Sequence, residues 1–172
     1  KIIVIGMLNT TTGGSLILFE SSENEGWEVQ EKNTRYKGLT EPEMIKEFWD
    51  YAAKAERIIT FNGRTFDIPF IMIRSALNKV KPSRNFMGNR FDTMFHIDLL
   101  EQFSFYGITK RFNLDFYCKS FGVESPKSKG VSGMEVAELY KAGRIKDIAI
   151  YCGDDIKATY ELYKIWNEYL NI

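Results

Sequence analysis

The sequence has 172 residues, of which 44% are hydrophobic and 15% aromatic, so it is long and apolar enough for one packed domain rather than a disordered chain. Its 23 basic and 23 acidic residues cancel, which excludes a strong overall field that would attract nucleic acid. One histidine and two isolated cysteines exclude sites built from several imidazoles or thiolates, and they indicate a reducing compartment, so we expect a cytoplasmic protein. No apolar run is long enough for a membrane span.

The N-terminal part of the chain is predicted to form strands. A β-branched apolar run over residues 2–8 ends at a Thr/Gly turn, and residues 15–19 fit the second strand of a hairpin. Residues 27–31 fit a weaker third strand. We therefore expect the sheet to begin with an antiparallel pair.

A helix is predicted to follow these strands, beginning at Thr40. Thr40 can cap the helix, Pro42 fits its first turn, and Glu43 completes a capping box. Apolar residues then recur at helical spacing to about residue 55. A buried strand is predicted next, over residues 57–61, and a glycine ends it.

The rest of the chain alternates once more between helix and strand and then becomes helical. In the first of these helices we expect Phe70, Ile71, Ile73 and Leu77 to face inward. This order of elements predicts an α/β protein, a mixed β-sheet flanked by α-helices, as a single domain over residues 1–172. The predicted segments are helix 66–77, strand 95–99, and helices 101–105, 114–121, 133–141 and 145–170.

Two short motifs contain the candidate catalytic carboxylates. Asp67 follows a strand and an Asn-Gly turn at the start of a helix, where an aspartate could also act simply as a cap. Tyr151 and Asp155 are four residues apart on one helix and therefore project side by side. That helix could instead bury Tyr151 and expose Asp155. Asp154 competes with Asp155 for the same role.

These motifs resemble those of a nuclease family. The string that contains Asn62, Phe66 and Asp67 resembles the second exonuclease motif of family B DNA polymerases and their stand-alone relatives. The Tyr-x-x-x-Asp pattern resembles the third motif of DEDD 3′–5′ exonucleases, in the branch that carries tyrosine (DEDDy). The resemblance implies a ribonuclease H-like fold in which Asp67 and Asp155 bind metal, Tyr151 orients the attacking water, and Asn62 and Phe66 hold the 3′-terminal nucleotide.

The resemblance also implies the substrate and the cofactor. Carboxylates suit Mg²⁺ or Mn²⁺, and two such ions would clamp the attacking and leaving oxygens of a phosphodiester. We expect a 3′–5′ exonuclease acting on the 3′ end of single-stranded DNA, with RNA not excluded. A polymerase or a repair protein is the expected partner, and no membrane is expected.

One part of the family pattern is missing from the sequence. The first motif, an Asp-x-Glu within a strand, does not occur, so Asp67 and Asp155 supply two of about four expected carboxylates. Two explanations are open. The chain lacks its N-terminal first-motif strand, or the acids were lost and the domain is a catalytically inactive ribonuclease H-like module that binds nucleic acid.

Secondary candidates lie outside the two motifs. We expect Asp98 to cap the following helix and His96 to be a satisfied structural residue rather than a general base. Residues 125–130 resemble a Ser-Pro-Lys and glycine turn of the stand-alone enzymes. Basic residues cluster at 78–90 and 105–130, either as solvated loops or as a rim that follows phosphates.

Overall fold

The computed structural model describes residues 1–23, 25–126 and 135–171, and these ranges contain six strands and six α-helices. The strands are β1 (Val4–Leu8), β2 (Ser15–Glu20), β3 (Gly26–Val29), β4 (Thr34–Leu39), β5 (Ile58–Thr60) and β6 (His96–Asp98). The helices are α1 (Glu41–Lys54), α2 (Asp67–Leu77), α3 (Leu99–Phe103), α4 (Leu114–Phe121), α5 (Val136–Lys141) and α6 (Ile145–Tyr169).

The strands form two groups. Four of them make a mixed sheet in the order β1-β2-β4-β3, and β5 pairs with β6 in a separate parallel pair. β1 and β2 are antiparallel, with Val4 opposite Phe19, whereas β2 and β4 are parallel, with Ser15 opposite Thr34. The predicted architecture, a ribonuclease H-like mixed sheet flanked by helices, is confirmed.

Alternating side chains of β2 place helices on both faces of the larger sheet. Leu18 points into a core that also contains residues of α1 and α2, including Met44, Ile45 and Ile68. Ile17 and Phe19, on either side of Leu18, pack instead with Ala149 of α6. This alternation is what a strand buried on both faces requires.

Helix α6 joins the two groups of strands. Near its start, Ala149 packs against β2, and further along the helix Ala158, Leu162 and Trp166 pack in a core with Ile97 of β6. The helix contacts both β1 and β5. A single long helix therefore fixes the position of one strand group relative to the other. No helix in the described ranges is long and apolar enough to cross a membrane.

Several predicted boundaries are confirmed. The capping box at Thr40 is present, with the Thr40 amide donating to the Glu43 carboxylate over 2.9 Å. Helix α4 has the predicted bounds, and α6 differs by one residue at its end. In each case a strong capping residue or a long amphipathic pattern marked the segment.

The prediction of the N-terminal strands was incomplete. The third strand ends at Val29, and a 3-10 turn over Gln30–Lys32 follows it. After Asn33 the chain enters a further strand, β4. β4 was not predicted, although every second residue in it, Thr34, Tyr36 and Gly38, is buried. Two charged residues in the strand, on its more exposed face, concealed that alternation.

Two further predictions need correction. In α2 the buried residues are Ile68, Ile71 and Ser75, whereas Phe70, Ile73 and Leu77 are exposed. Relative to the prediction, the helix is rotated about its axis, because the face formed by Ile68, Ile71 and Ser75 packs against α1. Helix α3 begins at Leu99, because Asp98 caps it. Positions 127–130 of the Ser-Pro-Lys turn and 133–134 of the predicted fifth helix lie outside the described residues.

Candidate active site

The turn that precedes Asp67 is organised by a buried carboxylate on the neighbouring strand. Asp98, only 2% exposed, accepts hydrogen bonds from the backbone amides of Asn62 (2.8 Å), Arg64 (2.9 Å) and Leu100 (3.0 Å). Asn62 lies in the left-handed region, with φ of 64°, so the chain turns sharply at this point. The predicted structural role of Asp98, capping the following helix, is confirmed.

His96 is also a structural residue, as expected. Its Nε2 lies 2.8 Å from the Thr60 hydroxyl and its Nδ1 lies 3.2 Å from the Phe86 carbonyl. Burial lowers the pKa of the imidazole, so it is neutral at physiological pH. Both ring nitrogens are occupied, and the residue has no role as a general base in this structure.

A buried ion cluster supports the same turn and was not predicted from the sequence. The Arg64 guanidinium donates to the His96 carbonyl over 3.1 Å, and its Nε lies 3.3 Å from a Glu101 oxygen. Glu101 also binds Arg90 over 2.6 Å. These residues are far apart in sequence and follow no local pattern, so only the tertiary structure reveals the cluster. It also gives a structural contact to Arg90, which belongs to the basic cluster at 78–90, where solvated loops and a rim that follows phosphates were both open.

Asp67 is the first residue of α2 and lies beside this turn. Neighbouring atoms exclude water from around its carboxyl, and this desolvation raises the pKa of Asp67. The negative charge of Asp98 contributes to the same rise. A hydrogen bond from its own amide partly offsets this rise. The residue remains exposed, so its carboxylate can accept a ligand from solvent.

The Tyr151 and Asp155 side chains are joined on α6, one helical turn apart. The phenol forms a hydrogen bond with the Asp155 carboxylate. Burial, together with the charge of Asp155, raises the pKa of Tyr151 to about 12, so the phenol is protonated and donates that bond. Burial raises the pKa of the Tyr36 hydroxyl in β4, and the charge of the competing carboxylate, Asp154, contributes to the rise.

Cys152, the residue after Tyr151, lies at the contact between α6 and β1. The Cys152 thiol lies against β1, where a Cβ added at Gly6 would be 2.7 Å from its Sγ. Burial raises the pKa of this thiol to about 12, and the charges of Asp155 and Asp67 contribute to the rise. Helix α6, which carries Asp155, also contacts β5, the strand that leads into the turn before Asp67. Sequence reasoning assigned Cys152 no role.

The expected nucleotide-binding residues lie at the edge of this region. Phe66 is 64% exposed and stacks on Phe70, with ring centroids 6.1 Å apart. The side-chain oxygen of Asn62 accepts a hydrogen bond from the Thr65 hydroxyl over 2.6 Å. The aromatic pair is thus open to a ligand, and the Asn62 side chain is held close to its own backbone turn.

The candidate metal ligands are of a kind that suits a hard cation, but they are few. Asp67 and Asp155 offer carboxylate oxygens, which Mg²⁺ and Mn²⁺ prefer. Within the described ranges, however, no group of three or more histidine, cysteine, aspartate and glutamate residues could hold a metal ion. These two residues fit part of a metal site, and further ligands must come from other groups.

Comparison with known proteins connects these residues to a family. A family model described as "Predicted 3'-5' exonuclease related to the exonuclease domain of PolB" matches residues 13–169. A DNA polymerase from Desulfurococcus sp. (strain Tok) is 33% identical over 73% of this chain and 18% of the polymerase. A DNA polymerase from Pyrococcus glycovorans is 29% identical over 87% of this chain and 22% of the polymerase. The chain thus spans about a fifth of the length of these relatives.

Proposed function

The chain belongs to the family of 3′–5′ exonucleases related to the exonuclease domain of PolB, and on that premise we propose that it removes nucleotides one at a time from the 3′ end of single-stranded DNA. The bond that breaks is the terminal phosphodiester, and the reaction is hydrolysis that depends on a divalent metal ion. The observation that carries the proposal is the packing of α6, which carries Tyr151 and Asp155, against β5, which leads into the turn before Asp67, because a metal site needs carboxylates from both motifs in one place.

Each of the candidate residues has a distinct role in this proposal. Asp67 and Asp155 would hold the metal ions, and the Tyr151 phenol, protonated because its pKa is about 12, orients the attacking water by accepting a hydrogen bond from it. Phe66 stacks on the terminal base, and Asn62 contacts the terminal nucleotide. Tyr151 cannot act as a base at neutral pH, so its contribution is to position the water.

The metal ions in this proposal are two Mg²⁺ or Mn²⁺. When bound, such a pair stabilises the charge that develops on the phosphate and lowers the pKa of the attacking water. The carboxylates of Asp67 and Asp155 are hard oxygen donors from two different elements, which supports ions of this class.

We further propose that the missing carboxylates lie on a strand between β1 and β5. Among the strands of the described residues, β1 pairs only with β2 and β5 pairs only with β6, although α6 contacts both β1 and β5. Each of these strands therefore has an edge with backbone groups available for pairing. A strand inserted there would join the two groups into one sheet and would pass between the elements that carry Asp67 and Asp155.

A second function, binding of nucleic acid without cleavage, is favoured by the small donor set. Two carboxylates in the described ranges are too few for two metal ions, which require about four. If the protein has no Asp-x-Glu strand, it would still present the exposed aromatic pair of Phe66 and Phe70. It would then bind single strands in a salt-dependent way but would not turn them over.

The test is a time course on an oligonucleotide labelled at its 5′ end, with the complete gene product and Mg²⁺ or Mn²⁺. We expect a ladder that shortens from the 3′ end, no cleavage by Asp155→Asn, and retained binding by that variant. Asp154→Asn is the matched control, because it removes the adjacent carboxylate, and we expect it to cut at the wild-type rate. Internal cleavage products would contradict the proposal, and binding without turnover by the wild type would favour the second function.

The same assay with RNA and with duplex ends would establish the substrate class. The polymerase relatives support a partnership with a polymerase or a repair protein, which we propose to take place in the cytoplasm. Co-purification with such a protein after expression at natural levels is the corresponding measurement.

A further inference from the structure

A groove on the surface beside α4 has no role in the proposed chemistry. It is lined by Phe112, Asn113, Asp115, Phe116, Lys119 and Ser120 and has a volume of about 540 Å³. This volume is within the ~300–1,000 Å³ typical of sites for small ligands. Phe116 is exposed and Phe112 is half-buried, so the aromatic wall of the groove is accessible from solvent.

The aromatic wall is suited to a flat ligand. The rings of Phe112 and Phe116 are stacked, with centroids 3.9 Å apart and planes inclined by 15°. The ammonium of Lys110 lies 5.2 Å from the Phe112 ring centre. Both rings also make edge contacts with Tyr117, which is buried. The rings are therefore held in a fixed orientation by the core, which lowers the entropic cost of stacking a base on them.

The charge around the groove is complementary to a phosphodiester backbone. Lys110, Arg111 and Lys119 are exposed beside it. The acidic residue in the wall, Asp115, is bound by Lys119 over 2.9 Å and by the Ser125 hydroxyl over 2.6 Å. Among the described residues that line the groove, Asp115 is thus the one carboxylate and is already paired, while Lys110 beside Phe112 adds a second cation. Nucleic acid binds where cations border a groove that also contains aromatic rings.

The helix that lines the groove packs beside elements of the candidate active site. Tyr117, beneath the two phenylalanines, contacts the ring of Phe61 with centroids 5.9 Å apart, and Phe61 directly precedes the turn that leads to Asp67. On the other side, α4 contacts α6, the helix that carries Tyr151 and Asp155. A strand whose 3′ end lies at Asp67 and Asp155 can therefore reach the groove within a short length.

We propose that this groove binds a nucleobase of the single-stranded DNA substrate, upstream of the terminal nucleotide, by stacking it on Phe116 while Lys110 and Lys119 contact the adjacent phosphates. This inference rests on the proposed function for its ligand class. It assigns a role in binding to residues outside the two exonuclease motifs. The groove would hold the strand in place while its end is cut.

The test measures binding in EDTA, so that no cleavage occurs. The anisotropy of a short 5′-labelled oligothymidylate reports the affinity of wild-type protein, Phe116→Ala and Phe116→Leu. We expect both variants to bind about tenfold more weakly, because stacking on an aromatic ring contributes substantially per base. Phe121→Ala is the matched control. Phe121 lies on the same helix with nearly the same exposure, 41% against 42%, but it does not line the groove.

A second measurement locates the base. Single abasic sites are placed at successive positions of the oligothymidylate. With the wild type we expect one upstream position to weaken binding about tenfold, and with Phe116→Ala we expect that penalty to disappear. Thymidine 5′-monophosphate, which occupies only the terminal site, should compete equally well with both proteins. Lys110→Gln should reduce the slope of log K against log salt by about 0.7, the loss of one phosphate contact with a single strand.

The outcomes separate this inference from the proposed function. Equal binding by wild type, Phe116→Ala and Phe116→Leu overturns the groove assignment and leaves the exonuclease proposal intact. Binding that depends on Phe116, without 3′ trimming in the presence of metal, supports the groove and overturns catalysis. If wild-type protein does not bind the oligothymidylate, both are wrong.

Discussion

At the scale of single residues, Asp98 controls the geometry of the turn before Asp67. It accepts three backbone hydrogen bonds while almost fully buried. Two of these come from the turn itself and one from the start of α3. A carboxylate is well suited to this position, because both of its oxygens accept and neither opposes an amide hydrogen.

We expect Asp98→Asn to destabilise the protein by about 2–3 kcal/mol, because the amide group of asparagine would oppose one of the backbone donors in a buried site. Chemical denaturation measures the free energy of unfolding. Asp92→Asn is the control: Asp92 is exposed and accepts one amide bond, from Met94, over 2.8 Å. We expect the control to cost less than about 0.5 kcal/mol, and an equal cost for both variants would contradict the role given to Asp98.

At the scale of secondary-structure elements, the approach of α6 to β1 depends on a glycine. A Cβ at Gly6 would lie 2.7 Å from the Sγ of Cys152 and 3.0 Å from Cγ2 of Ile156. The contact with Sγ is closer than non-bonded atoms tolerate, and the contact with Ile156 is tight enough that its side chain would have to shift. The helix that carries Tyr151 and Asp155 can therefore pack at this distance only while position 6 has no side chain.

We expect Gly6→Ala to destabilise the protein by about 1–3 kcal/mol, because the added methyl group forces α6 away from β1. The midpoint and slope of a urea denaturation curve measure this cost. Cys152→Ala in the same molecule removes the closer contact and should restore part of the loss. Gly88→Ala is the control, since a Cβ there meets nothing within 4 Å. Additive effects of the changes at positions 6 and 152 would show that the two sites do not touch.

Helices α1 and α2 are joined by an ion pair that also binds the N-terminal segment. The Arg74 guanidinium donates to both oxygens of Glu41, over 2.7 and 2.6 Å, and the Ile2 amide donates to one of them over 2.7 Å. These bonds lower the pKa of the Glu41 carboxyl to about 2, with the Arg74 hydrogen bond as the largest cause. The Glu41 side chain is only 7% exposed, so solvent screens the pair weakly.

We expect Glu41→Gln to cost about 2–3 kcal/mol at neutral pH, because Arg74 loses its charged partner. The folded-state pKa is below the unfolded value of about 4.3, so the contribution is fully present above that value and is lost as the pH falls towards about 2. The stability difference between wild type and variant should shrink over that interval. Glu47→Gln, whose pair with Lys37 is more exposed, should cost less than about 1 kcal/mol with a smaller pH dependence.

At the scale of the whole molecule, local signals predicted much of the fold. The capping box at Thr40, the long amphipathic pattern of α6 and the bounds of α4 were all readable because the residues that determine them are adjacent in sequence. The same is true of the Tyr151 and Asp155 pair, which one helical turn brings together.

Features that depend on distant residues were not predictable in this way. The Arg64 and Glu101 ion pair, the contact of Cys152 with Gly6 and the rotation of α2 all result from packing between elements. β4 was missed, although its residues alternate between buried and more exposed positions. In so short a segment, the two charged residues concealed the apolar pattern that predicts a strand. The family resemblance identified Asp67 and Asp155, but it did not indicate which neighbours position them.

The separation of the strands into two groups leads to a prediction about the gene. We expect the complete reading frame to contain an Asp-x-Glu within an apolar strand that lies within about 30 residues before Lys1, the length of a short strand and one ordinary connection. Sequencing of the frame provides the measurement. A frame without this pair of acids would make catalysis untenable and would favour the binding function.

The bridging position of α6 also has a consequence for the newly made chain. The helix follows all six strands of the described residues in the chain, and it packs against strands of both groups. Contacts between segments so far apart form slowly, because long loops must close first. Helix α6 therefore docks late in folding, and only then do the two groups of strands gain the helix that holds them in position.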